Sequence, residues 1–127
     1  CYGDSGHKHF IEPSDAGLLT RVANAIISGV NRRIDWLHLP VPRDRNDEKY
    51  FQPMQDLVLP IGTDFYLGLL HASDGVDGAL SRIAAAQKVV KDFGVATECG
   101  FGRRPKKGLP NLMKLHDQIS RSLVARR

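Results

Sequence analysis

The stretch "TDFYLGLLHASDGVDGALSRIAAAQKVVKDFGVATEC", Thr63 to Cys99, decides how this chain is read. Its first part is a near-continuous apolar run, and the spacing predicts a strand over Phe65–His71. "SDGVDG" breaks that run and supplies turn and capping residues. Leu80, Ile83, Ala84 and Val90 then recur as an apolar stripe among helix-favouring alanines, which predicts a helix over residues 76–91. "GVATEC" begins a further strand over Gly94–Glu98. Apolar strand, helix, apolar strand is the pattern of a parallel sheet covered by helices, because parallel strands are buried and need a long crossover.

Working outward, the same alternation continues on both sides. Upstream, "IDWLHLPVP" reads as a buried strand over Ile34–Leu39 stopped by prolines. Before it, Ser14 or Asp15 can cap a helix over residues 14–29 whose stripe is Leu18, Val22, Ala25 and Ile26. Between the first two strands, Tyr50, Met54, Leu57 and Val58 share a helical face over residues 47–58, with Pro53 restricting it. Downstream, Leu112, Leu115, Ile119 and Leu123 mark a last helix over 110–124. The expected class is α/β, parallel strands alternating with helices in one domain. An open doubly wound sheet or a slice of an α/β barrel both fit. The helix that opens the order implies a preceding strand, and a chain starting at Cys1 rather than Met reads as the C-terminal part of a larger domain.

The chain has 127 residues and a net charge of +4. That charge is uneven. Residues 82–127 carry eleven Lys/Arg against three acids, +8 in all, so the first 81 residues sum to −4. A basic end can attract an acidic partner, although with aromatics limited to Phe93 and Phe101 near it, base stacking and hence nucleic acid have little support. No apolar run approaches the roughly 20 residues that span a bilayer. No signal-peptide pattern is visible, so the expected location is cytoplasmic.

In parallel α/β folds ligands bind at the C-terminal ends of strands. Polar groups recur there: His38, then His71, Ser73 and Asp74, then Glu98 and Cys99, with Cys1, Asp4, His7 and His9 ahead of the first helix. Cys and His converging on one rim suggest a metal, zinc first, since zinc accepts thiolate and imidazole and can leave a position open for catalysis. Each residue also has a plainer reading. A Cys at a strand end is a small hydrophobe, "HKH" a surface loop, His38 a satisfied core histidine, and "SDG" a turn. "CGFGRRPKK" lacks the Lys-Ser/Thr ending of a phosphate loop, but Arg103 and Arg104 suit an anion.

"CYGD" at the start and "TECGFGRRP" near the end resemble the C-terminal half of the cobalamin-independent methionine synthase family. The resemblance covers the chain by element order and few positions by identity. It implies the second half of a (β/α)8 TIM barrel and a zinc-dependent transfer of a methyl group from a methyl-folate-type donor to a thiol. It makes Cys1 and Cys99 metal ligands and puts His38 where the family has a zinc-binding Glu. Glu98 stands where the family usually has Asp, and "LHASDG" replaces its Asp-x-His-Ser step, so His71 or Asp74 takes the proton-donating role. Asp4, Glu98, Arg103 and Arg104 complete the set as substrate-binding candidates. Three strands cannot close a barrel, so the expectation is self-association or a missing N-terminal half, no activity alone, and weak zinc binding. A metal-independent decarboxylase-type barrel, with structural cysteines, and a non-catalytic fragment binding an acidic partner are the alternatives.

Overall fold

The computed structural model describes residues 2–3, 9–99 and 101–124. Helix α1 spans Gly17–Gly29, strand β1 Trp36–Pro40, and the short helix α2 Glu48–Phe51, continued as a 3-10 turn over Gln52–Asp56. Strand β2 spans Asp64–Leu70, helix α3 Gly75–Gln87, strand β3 Gly94–Thr97 and helix α4 Leu109–Val124. Two 3-10 turns, Phe101–Arg103 and Lys106–Gly108, lie between β3 and α4. No helix among the described residues is long and apolar enough to cross a membrane.

The three strands form one parallel sheet in the order β1-β2-β3. Leu39, Leu67 and Val95 stand side by side in register, as do Leu37 and Phe65. These residues share a core with Ala79, Ile83 and Ala86 of α3 and Leu112, Leu115 and Ile119 of α4. Burying a side chain such as Leu67 completely contributes roughly 1.5–3 kcal/mol, so this layer is the main source of stability. The opposite face differs. In its rows, Trp36 is 64% exposed, and His38, Tyr66 and Gly94 are half-buried. One face of the sheet is packed and the other is partly open.

Local chemistry explains where elements depart from the spacing. Pro53 has no N–H to donate to a helical ladder, so the helix expected over 47–58 is a single α-turn and then 3-10. That turn is capped by Asp47, whose Oδ1 accepts the Tyr50 N–H at 3.0 Å. Helix α1 starts at Gly17 rather than at residue 14, with the Gly17 N–H donating to Asp15 Oδ1 at 2.8 Å. Helix α3 ends at Gln87, where the Val89 and Val90 N–H groups both turn back to the Ala86 carbonyl.

The face of α1 is a correction. Its expected core stripe is the outer one: Leu18, Val22 and Ile26 are 54%, 47% and 49% exposed. Gly17, Leu19, Thr20 and Ala23 are buried instead. Polar groups select this face. Asn24 Nδ2 donates to the Asp56 carbonyl at 2.8 Å, and Asn24 Oδ1 accepts the Val58 N–H at 3.0 Å. This two-way clamp sets α1 against the 3-10 turn, and the Ala16 N–H donates to the Tyr50 carbonyl at 2.9 Å nearby.

This orientation has a direct check. Val22→Gln should change stability by no more than about 0.5 kcal/mol, as at an ordinary surface site. Ala23→Leu, one position on, should cost about 1–3 kcal/mol by overpacking. Urea denaturation followed by circular dichroism measures both, and the reverse ranking would mean that α1 packs by its other face.

Candidate functional site

The C-terminal ends of the strands open on a cavity of about 590 Å³. Pro42 to Arg45 line it from the segment after β1, His71 and Ser73 from the end of β2, and Glu98 and Arg104 from beyond β3. His9 and Glu12 close one side. Three consecutive strand ends thus deliver side chains to one place, as the parallel topology requires.

At its centre is His71, which is buried. Its Nε2 lies 2.9 Å from the Val41 carbonyl, an acceptor, so Nε2 carries hydrogen and donates. Its Nδ1 lies 2.7 Å from Glu98 Oε2. Burial, with the Arg82 charge behind it, pushes the imidazolium down to about 4. The carboxylate contact acts in the opposite sense. A bare nitrogen lone pair does not sit 2.7 Å from a carboxylate oxygen, so a proton lies between them. Arg104 pairs with the other Glu98 oxygen, so Arg104, Glu98 and His71 form one chain of polar contacts along the wall. The His71–Glu98 pair therefore holds a transferable proton at the wall of the cavity.

Arg82 holds the rim in shape. It is 1% exposed. Its Nε–H donates to the Leu69 carbonyl at 2.8 Å, and its Nη1 donates to the Arg43 carbonyl at 2.7 Å. Both terminal nitrogens also bind Asp74, at 2.5 and 2.9 Å. One guanidinium thus joins β2, the segment after β1 and the turn into α3. Gly78 makes room for this, since a Cβ there would collide with the Asp74 carboxylate. The Arg82 hydrogen bonds hold the Asp74 carboxyl below the usual carboxylate range. Asp74 is consequently ionised and engaged, and a proton-donating role does not suit it.

A second polar chain ties the N-terminal segment to β1. The Tyr50 hydroxyl donates to the Pro40 carbonyl at 3.3 Å, so the Tyr2 hydroxyl donates to Tyr50, at 2.8 Å. The Phe10 N–H returns to the Tyr2 carbonyl at 2.8 Å. Burial raises the Tyr50 hydroxyl pKa strongly, so it stays protonated.

The remaining candidates are placed as follows. His38 sits on the open face of the sheet, with a Cβ built on Gly68 falling 3.0 Å from its Nε2. That Nε2 is buried and has no hydrogen-bond partner among the described residues, and burial lowers the imidazole's pKa, keeping it neutral. Cys99 is a free, half-buried thiol next to Glu98. Neither residue is among those lining the cavity. Arg103 is exposed. Cys1, Asp4 and His7 lie outside the described residues. Among the described residues no three His, Cys, Asp or Glu side chains are grouped to hold a metal. Sequence reasoning did not single out Arg43, Arg45 or Arg82. A signal existed for Arg82, which shares helical spacing with the buried Ala79, Ile83 and Ala86.

The Asp74–Arg82 pair gives a pH signature. Asp74 has a lowered folded pKa, so its contribution is complete above about pH 4, the unfolded value, and is lost as pH falls through the folded value. Asp74→Asn should cost about 1–3 kcal/mol at neutral pH and flatten the acid limb of the stability profile. Urea midpoints from pH 7 down to pH 2 measure this, and an unchanged acid limb would show that other carboxylates govern it.

Comparison of the chain with protein-family models, with curated proteins and with solved structures finds no match in any of the three.

Proposed function

We propose that the chain is the second half of a (β/α)8 barrel of the cobalamin-independent methionine synthase type, and that its rim cavity serves methyl transfer from a methyl-folate-type donor to a thiol. The observation that carries this reading is the strand order. The order is β1-β2-β3 without reversal, and consecutive parallel strands with the right-handed crossover general for such units carry their crossover helices on one side of the sheet. A doubly wound sheet instead reverses its order at a switch point and covers both faces. The half-exposed row of Trp36, His38 and Tyr66 suits the inward face of a barrel, and the cavity lies at the C-terminal rim where barrel enzymes work.

The donor set suits zinc by its chemistry. His38 offers an imidazole whose buried Nε2 has no hydrogen-bond partner among the described residues, and Cys99 offers a free thiol. Cys1 is the third expected ligand. Zinc, when bound, keeps an acceptor thiol ionised at neutral pH. The rest falls to the chain's own groups. In the transfer, the sulfur forms a bond to the methyl carbon as the carbon–nitrogen bond breaks. The electron pair stays on the leaving nitrogen, which takes up a proton. His71 Nδ1, paired with Glu98 at the cavity wall, is placed to supply that proton. The Val41 carbonyl fixes the imidazole through Nε2–H, so the proton to be given sits on the other nitrogen.

Cobalt(II) tests the ligand assignment without requiring turnover. Titrating the zinc-free chain should produce a saturable thiolate-to-cobalt charge-transfer absorption. Cys99→Ser and Cys1→Ser should each reduce that absorption, and His38→Ala should weaken binding at least tenfold, in the range typical of a lost ligand contact. No thiolate absorption at saturating cobalt would sink the zinc reading.

A further inference from the structure

We infer that Arg104 is the anchor for a single carboxylate or phosphate group of the ligand, with Glu98 as the partner it releases on binding. This rests on the cavity being the substrate site, as proposed above, and names the chemistry that site recognises.

Three guanidiniums line the cavity, and they differ in how far their donors are used. Arg43 grips both oxygens of Asp44, through Nε at 2.8 Å and Nη2 at 3.1 Å. Arg45 grips both oxygens of Asp47 at 2.9 and 3.1 Å, gives Nη1 to the Pro13 carbonyl and lies over the Tyr50 ring. Both forks are filled bidentately. Arg104 is different. Its Nη2 meets one oxygen of Glu98, and the other oxygen is taken by His71. Its Nε is buried with no hydrogen-bond partner among the described residues. An arginine presents donors in a rigid fork that matches two oxygens of one anion. Among the described residues Arg104 is therefore the cavity guanidinium whose fork is only half filled, with Nη2 on Glu98 and Nε unpaired.

Exchange at Arg104 is also inexpensive for the protein. When Arg104 turns to a ligand, Glu98 keeps its 2.7 Å contact with His71 Nδ1, so the carboxyl is not left without a hydrogen-bond partner. At Arg43 or Arg45 a ligand would instead have to displace a carboxylate that already fills the fork with two oxygens. Glu12 pairs with His9 and Asp44 with Arg43, so these charged groups of the lining are already partnered. One anionic group of a compact ligand, such as the acceptor thiol of the proposed reaction, fits the remaining contact at Arg104.

Calorimetric titration with inorganic phosphate, and separately with propionate, tests the assignment. Saturable binding of either supports it, and the arm that binds identifies the anion. Losing a charge-assisted bidentate contact should weaken binding about tenfold or more in Arg104→Gln. Arg104→Lys, which keeps the charge and removes the fork, should lose a smaller part, and it serves if the Gln variant fails to fold. Lys107→Gln, at an exposed position outside the cavity lining, should leave the affinity within about twofold. Equal weakening by Lys107→Gln and Arg104→Gln, or no saturable binding of either anion, would overturn the proposal. The cobalt absorption separates the two readings. Lost anion binding with that absorption intact concerns Arg104, whereas absent absorption with Arg104-dependent anion binding overturns the zinc reading alone.

Discussion

The buried Arg82 guanidinium is the constraint on which the rim of this protein depends. Placing a charge at 1% exposure is costly unless nearly every donor finds an acceptor. Two carbonyls and both oxygens of Asp74 meet that demand. Each acceptor belongs to a different part of the chain, so satisfying the charge fixes their mutual positions. The Leu69 carbonyl belongs to β2, two residues before His71. The Arg43 carbonyl follows Val41, whose own carbonyl receives His71 Nε2–H. Arg82 thus sets the two backbone segments that define where His71 stands and how it is oriented. An apolar side chain of similar volume would fill the same space and leave both loops without a register.

The alternation of strands and helices was legible because its cause is local. Phe65–Leu70 is apolar along its length, and Leu80, Ile83 and Ala86 repeat with the helical period. What could not be read was which of two similar faces packs. Leu18, Val22 and Ile26 form as good a stripe as Leu19 and Ala23 by hydrophobicity. The choice rests on Asn24, whose amide meets the backbone at Asp56 and Val58, more than 30 residues away. A long-range polar clamp of that kind leaves no periodic trace.

The site divides along the same line. His71 and Glu98 were visible as polar groups ending apolar strands, because topology alone sends such positions to one rim. Asp74 was visible too, but its role was not. A Ser-Asp-Gly turn before a helix looks like a cap or a free acid, and here α3 has no side-chain cap because Arg82 takes the carboxylate. Arg82 lies eight residues further on and one helical face inward, where an apolar residue is the ordinary expectation. That His38 Nε2 is buried without a hydrogen-bond partner among the described residues is equally beyond sequence reasoning, since it follows from the depth at which the ring rests beside Gly68.

The meeting of His71 with Glu98 itself depends on an irregularity in the sheet. Leu67 is level with Val95, so a regular ladder would set Leu70 beside Glu98 and His71 beside Cys99. The register instead shifts between Leu67 and Leu70, so that Leu70 is level with Thr97. One residue of β2 is taken up in the irregularity, and each later position of β3 moves forward by one. The Glu98 N–H reaches the Leu70 carbonyl at 3.3 Å, which carries the shifted register past the end of the strand. His71 then has the carboxylate as its neighbour in place of the thiol. Because side chains alternate in direction, a slip of one residue exchanges the chemistry on a face. The same shift that gives His71 an acid to share a proton with leaves Cys99 one place further on, apart from the proton-holding pair and free for another role.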